Sequence, residues 1–231
     1  MSRRYKHLLF DLDHTLWDFH TNSLNTLREL FSEFELFNHF PDFDTFHSVY
    51  EGNNLKLWSK YRDGSISKKD LNFNRFSFPF TKVGIDDPAI ALRFADEYVR
   101  RSPLKKVLMP GAVNILEYLK PKYKLHIITN GFLEVQNKKL EMSGLNSFFD
   151  KVFISELIGV QKPNSRFFEH VIKTLNASKK ECMVIGDSYE ADIIGALNFG
   201  LDHVFYNANR IEHDNGVMYE VFSLDDIKQI L

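Results

Sequence analysis

The stretch His7-Leu8-Leu9-Phe10-Asp11-Leu12-Asp13-His14-Thr15-Leu16 decides how the rest of this 231-residue chain is read. An apolar run of strand length ends on two carboxylates spaced i, i+2, so both side chains leave the strand on one face as the chain turns away. Like charges held that close repel, and a site that keeps them calls for a counter-cation or a shared proton. Taken alone, the pattern equally fits a strand end with solvated aspartates and a threonine turn.

The length exceeds one average domain and falls short of two full ones, which points to a core domain carrying a substantial insertion. Basic and acidic residues nearly balance, 29 against 31, and no basic stripe interleaved with aromatics occurs. A dedicated nucleic-acid binder is therefore not expected, while a small anionic substrate is compatible. The single cysteine, Cys182, sits in the apolar run Cys182-Met183-Val184-Ile185 and reads as a buried, inert thiol in a reducing compartment. Arg3, Arg4 and Lys6 resemble the start of a signal peptide, but Asp11 interrupts the apolar run behind them too early. No stretch has the length of a membrane span, so a cytoplasmic protein with no membrane partner is expected, as monomer or homodimer.

Outward from the first strand, at residues 5–11, the pattern turns helical from about Thr21 to Arg101. Leu24, Leu27, Leu30, Phe31 and Phe34 are spaced for one buried helix face. Further helices are expected over Phe43 to Tyr61, from a Ser67 N-cap through Leu71 to Phe78, and from Asp87-Pro88 to Arg101, with Asp87 capping and Pro88 at the first helical position. Most of the aromatics there read as the core of a helical bundle. After Met109-Pro110-Gly111 strand and helix alternate: helix Ala112 to Leu119, strand Leu125 to Ile128, helix Glu134 to Met142 closed by Gly144, strand Lys151 to Ile154, helix Ser165 to Leu175, strand Met183 to Ile185, helix Ala191 to Phe199 ended by Gly200, strand His203 to Tyr206. Such alternation, with strands apolar on both faces, predicts a doubly wound α/β domain around a parallel sheet. The expected core is 1–18 with 106–231, and 19–105 is an inserted helical cap over the carboxyl ends of the strands, where open α/β sheets bind ligands.

Three further clusters fall at strand ends. Thr129-Asn130-Gly131 offers a hydroxyl and backbone N–H groups to an anion, although an ordinary Asx/Gly loop reads the same way. Lys162-Pro163 puts a lysine just before a helix N-terminus, where a solvated lysine is the bland alternative. Gly186-Asp187-Ser188 with Asp192 gives one carboxylate at a strand tip and one in the next turn, both also explicable as helix-start acids. Four strand tips of one sheet would deliver carboxylates, a hydroxyl and a lysine to the same crevice, which is the equipment for phosphoryl transfer.

Asp11-Leu12-Asp13-His14-Thr15, Thr129, Lys162-Pro163 and Gly186-Asp187-Ser188 with Asp192 resemble the four motifs of the haloacid dehalogenase-like hydrolase superfamily. The helical insertion after the first motif resembles its subfamily I. Thr129-Asn130-Gly131-Phe132 and the run from Ser155 to Asn164 look like the branch of bacterial pyrimidine nucleoside 5′-monophosphatases. The resemblance implies a Mg²⁺-dependent phosphomonoesterase with a Rossmann-like core, its substrate a small phosphate ester such as a nucleotide. Asp11 would be the nucleophile that forms an aspartyl-phosphate, and Asp13 the acid and base. Mg²⁺ would be held by Asp11, the Asp13 main-chain carbonyl and Asp187, with Asp192 orienting the outer shell. Thr129, Asn130 and Lys162 would bind phosphate. A phosphosugar phosphatase, a phosphomutase, and a silent regulatory module are the alternatives; four intact motifs speak against the last. Trp17, Phe19 and Asn22 follow the first motif closely enough to meet a leaving group. Trp58, Tyr61, Arg62 and Arg75 in the cap are of types that stack on or hydrogen-bond to a base, but core packing or solvated charge is the better reading of each. The nine histidines show no metal-ligand spacing, and His14 reads as exposed or supporting.

Overall fold

A computed structural model describes residues 4–214 and 216–231. They divide into two compact units, one built from the chain up to His20 together with Lys105–Leu231 and the other from Thr21–Leu104. In chain order the elements are β1 (His7–Phe10), α1 (Phe19–Glu33), α2 (Phe43–Arg62), α3 (Lys68–Lys82), α4 (Pro88–Arg101), α5 (Ala112–Leu119), β2 (Lys124–Thr129), α6 (Leu133–Met142), β3 (Lys151–Ile154), the one-turn α7 (Ser155–Ile158), α8 (Ser165–Leu175), β4 (Cys182–Gly186), a π-helical turn (Tyr189–Ile194) running into α9 (Gly195–Phe199), β5 (Asp202–Tyr206) and β6 (Tyr219–Val221), with short 3₁₀ turns between. No helix among the described residues is long and apolar enough to cross a membrane.

The six strands form one parallel sheet in the order β3-β2-β1-β4-β5-β6. Alternation along β1 shows why it is apolar from Leu8 to Phe10. Leu8 and Phe10 pack with α5 residues Ile115, Leu116 and Leu119, whereas Leu9 packs on the other side with α8 residues Phe167, Phe168 and Val171. Both faces are covered from Leu8 onward, and the first polar side chain after it is Asp11, where the strand ends. Strands β2 and β3 lie to one side of β1 and β4, β5 and β6 to the other, and this reversal of order opens a crevice at the strand carboxyl ends.

Two elements differ from the sequence pattern. Strand β6 is three residues long with only Val221 buried, too short to leave a periodic signal. The expected helix from Ala191 opens instead as a wide π turn in which Ser188 Oγ accepts from Ala191 N–H at 3.2 Å. The turn brings Asp192 back onto the tip of β4, so close that a Cβ on Gly186 would lie 2.3 Å from its Oδ2.

The helical unit is held by its own aromatic core, with Phe31, Phe46, Tyr50, Phe76, Phe80, Phe94 and Tyr98 in one buried cluster. Helix α3 starts on a Ser67/Asp70 capping box, and Asp87 caps α4 through Ala89 N–H, arrangements that satisfy amides left free at a helix start.

Candidate active site

Register brings the strand tips level. Phe10 pairs with Ile127 of β2 and Ile185 of β4, and Asp11 N–H donates to Ile185 O at 2.9 Å. Oxygens of Asp11, Asp187 and Asp192 lie within 4.8 Å of one another. Asp187 is fixed by Thr15, whose hydroxyl donates to its Oδ1 at 2.8 Å and accepts from its N–H at 3.0 Å. The threonine of the first motif thus sets the aspartate of the fourth, a role its sequence position alone does not reveal.

Lys162 reaches into this cluster with a side chain 2% exposed. Its ammonium has three protons, and they go to Asp11 Oδ1 at 2.7 Å, Asp192 Oδ1 at 2.6 Å and Ile128 O at 2.9 Å. Asp192 is completely buried and takes Ser188 N–H on Oδ2 at 3.2 Å. Asp11 keeps Oδ2 outside any hydrogen bond among the described residues, which leaves an in-plane lone pair for attack. Asn130, expected to face phosphate, spends both ends of its carboxamide on the Lys162 main chain: Nδ2 donates to Lys162 O and Oδ1 accepts from Lys162 N–H, each at 2.9 Å. Its side chain therefore fixes the lysine loop.

Thr129 closes the end of β2 and is 1% exposed. Its Oγ1 accepts from Gly131 N–H at 3.1 Å and from Gln136 Nε2 at 2.7 Å. With both lone pairs occupied, the hydroxyl proton is free to be donated, which suits an anionic oxygen.

Asp13 has a different neighbourhood. Oδ1 accepts from Lys139 Nζ at 2.6 Å and Oδ2 from Gln136 Nε2 at 2.9 Å. Both donors stand on α6 and are buried, at 2% and 0% exposure. Sequence reasoning missed this pair. The signal was present: Phe132, Gln136, Lys139 and Leu140 form the buried stripe of the helix region at i, i+4, i+7, i+8, and two polar residues on such a stripe need buried partners. His14, next in the chain, is exposed and held at φ 64°, a conformation costly for a residue with a Cβ.

Residues 5–200 match the family described as hydrolase, haloacid dehalogenase-like hydrolase. The chain belongs to this family. It is 35% identical over 231 residues to the pyrimidine 5′-nucleotidase PynA of Streptococcus pneumoniae, covering 98% of this chain and 95% of that one. It is 31% identical over 228 residues to the pyrimidine 5′-nucleotidase YjjG of Escherichia coli K12, covering 97% and 96%. The crystal structure of the Bacillus subtilis HAD-hydrolase YfnB bound to magnesium superimposes with a TM-score of 0.89 at 30% identity, over 99% of each chain.

In this haloacid dehalogenase-like hydrolase the acidic cluster carries more negative charge than Lys162 alone offsets. Burial pushes the Asp11 carboxyl up to about 7, Lys162 pulling against it and Asp192 and Asp13 adding to the rise. Burial, then the charges of Asp11 and Asp192, holds Asp187 well above the usual carboxylate range. Burial works against the Lys162 charge, but Asp11 and Asp192 outweigh it and keep the ammonium above the ordinary lysine range. An all-oxygen donor set in which protons are held by burial and by the crowding of like charges fits a hard divalent cation.

The remaining sequence candidates scatter. Trp17 is fully buried and packs its ring on Lys139, while Phe19 is half-buried beside the same lysine. In the helical unit Trp58 and Tyr61 meet edge to face, Asn22 and Arg75 are buried, and Arg62 is exposed. Arg75 donates to Asn72 Oδ1 at 2.9 Å and lies over the Tyr98 ring.

Proposed function

We propose that this hydrolase is a phosphomonoesterase working through an aspartyl-phosphate, with nucleoside 5′-monophosphates, pyrimidine ones foremost, as substrates. The observation that carries the reading is the unequal setting of the two carboxylates of the first motif. Asp11 sits against an ammonium among acids, with one oxygen free to attack phosphorus. Asp13 stands apart on its own donors, with a side chain 24% exposed, suited to exchanging a proton with a leaving group and then with water.

In the first half-reaction Asp11 Oδ2 forms a bond to phosphorus, the ester P–O bond breaks, and the departing alkoxide takes a proton from Asp13. In the second, Asp13 takes a proton from the attacking water as the water oxygen bonds to phosphorus, the P–O bond to Asp11 breaks to restore its carboxylate, and inorganic phosphate leaves. The Thr129 hydroxyl donates to a phosphoryl oxygen, and Lys162, anchored by Asn130, holds the nucleophile and offsets charge. Mg²⁺ on Asp11, the Asp13 main-chain carbonyl and Asp187 would supply neutralisation of the transferring phosphoryl group.

The two pyrimidine 5′-nucleotidase relatives support the substrate class. A panel of phosphate esters assayed for phosphate release with and without Mg²⁺ tests it. Release is expected to be strongest from uridine and thymidine 5′-monophosphates, to require Mg²⁺, and to vanish in Asp11→Asn with the fold retained. Faster release from sugar phosphates would overturn the nucleotide assignment, and full activity of Asp11→Asn the covalent mechanism.

A further inference from the structure

Lys139 and Gln136 lie outside the four motifs, yet each holds one oxygen of Asp13. Three features show that the contacts are built in. First, Lys139 is a lysine 2% exposed in a helix interior, where a charge is retained only with a partner. Its ammonium lies 4.4 Å from the Trp17 ring and 5.3 Å from the Phe19 ring, so the chain just after the first motif walls it in. Second, Gln136 Nε2 is shared between Asp13 Oδ2 and Thr129 Oγ1, joining the carboxylate to the hydroxyl at the end of β2. Third, Gln136 can cross to them only because residue 131 is glycine: a Cβ there would sit 2.3 Å from Gln136 Cδ and 2.5 Å from Nε2.

We propose that Lys139 and Gln136 are positioning residues, a two-point clamp that fixes the Asp13 carboxylate for proton exchange with the leaving group and ties its place to that of the phosphate held by Thr129. The inference rests on the acid and base role assigned to Asp13. A carboxylate with both oxygens held has one orientation available. With either donor gone it can rotate about its side-chain torsions, and a displacement on the order of 1 Å costs about a hundredfold in a proton-transfer step.

The clamp predicts a dependence on the leaving group. Nitrophenolate departs from phosphorus without a proton, whereas the 5′-alkoxide of a nucleoside needs one. Values of kcat/KM, which report the phosphorylation step, are measured on thymidine 5′-monophosphate and p-nitrophenyl phosphate for the wild-type protein, Asp13→Asn, Lys139→Met, Lys139→Arg, Gln136→Met and Gly131→Ala, with circular dichroism on each. Asp13→Asn is expected to lose at least a hundredfold more on the nucleotide than on the nitrophenyl ester. Lys139→Met and Gln136→Met should show the same selectivity, about tenfold or more. Lys139→Arg should restore most of the nucleotide rate, and Gly131→Ala should reproduce the Gln136 variant without altering either clamp residue. If Asp13→Asn is selective while the Lys139, Gln136 and Gly131 variants lose equally on both esters, the clamp is wrong and the acid role stands. If Asp13→Asn itself shows no selectivity, the acid role fails first.

Discussion

Two buried lysines serve the same crevice under opposite electrostatic conditions. Lys162 enters from a loop and divides its three protons among Asp11, Asp192 and a main-chain carbonyl, so it is one cation among a surplus of acids. Lys139 stands in the middle of α6 and pairs with Asp13, with the rings of Trp17 and Phe19 beside its ammonium. Two aspartates one residue apart in the chain are thus held by two kinds of cation. One keeps a crowded acidic cluster together, and the other holds a single carboxylate in place.

Removing each cation in turn separates the two roles. Lys162→Met leaves Asp11 and Asp192 uncompensated in a buried site, and loss of one partner from such a group costs about 3–5 kcal/mol. Lys139→Met leaves one carboxylate that still reaches solvent, so the expected loss is about 1–3 kcal/mol. Denaturant unfolding of both variants checks the order. Equal losses would mean that the acidic surplus around Lys162 does not matter to the fold. Phosphate release should be abolished in Lys162→Met and only reduced in Lys139→Met.

A smaller effect of the same acidic surplus is expected in the pH dependence of stability. Asp11 and Asp187 have folded-state pKa values raised above those of free carboxylates, so folding favours their protonated forms. That preference weakens the folded state as pH rises from the ordinary carboxylate range toward about 7, where Asp11 loses its proton. A divalent cation bound at the proposed site would take the place of those protons, and its stabilisation would grow over the same interval. The rise in Tm produced by Mg²⁺ is therefore expected to be larger at pH 8 than at pH 6, and to shrink sharply in Asp187→Asn. A Mg²⁺ effect independent of pH would contradict the crowding.

What the sequence made legible follows from the same geometry. Asp11, Thr129 and Asp187 stand where apolar strands stop, and a polar residue at that point is conspicuous. Lys162 is marked by the proline behind it. Gln136 and Lys139 sit inside an amphipathic helix, and Lys138 and Lys139 read alike until burial separates them. Asn130 could be placed but not oriented, because nothing in Thr129-Asn130-Gly131 tells a carboxamide that faces phosphate from one that braces the lysine loop. Strand β6 escaped because three residues with one buried side chain carry no period.

The central claim, that Asp11 carries the phosphoryl group while Asp13 moves protons, is tested most directly by acid-quenching the enzyme during turnover of a substrate with radiolabelled phosphate. Label is expected on the peptide containing Asp11 in the wild-type protein and none in Asp11→Asn. In Asp13→Asn, labelled with an ester whose leaving group needs no proton, the label should persist longer because water is no longer deprotonated. Label undiminished in Asp11→Asn, or absent from the wild type under saturating substrate, would contradict it.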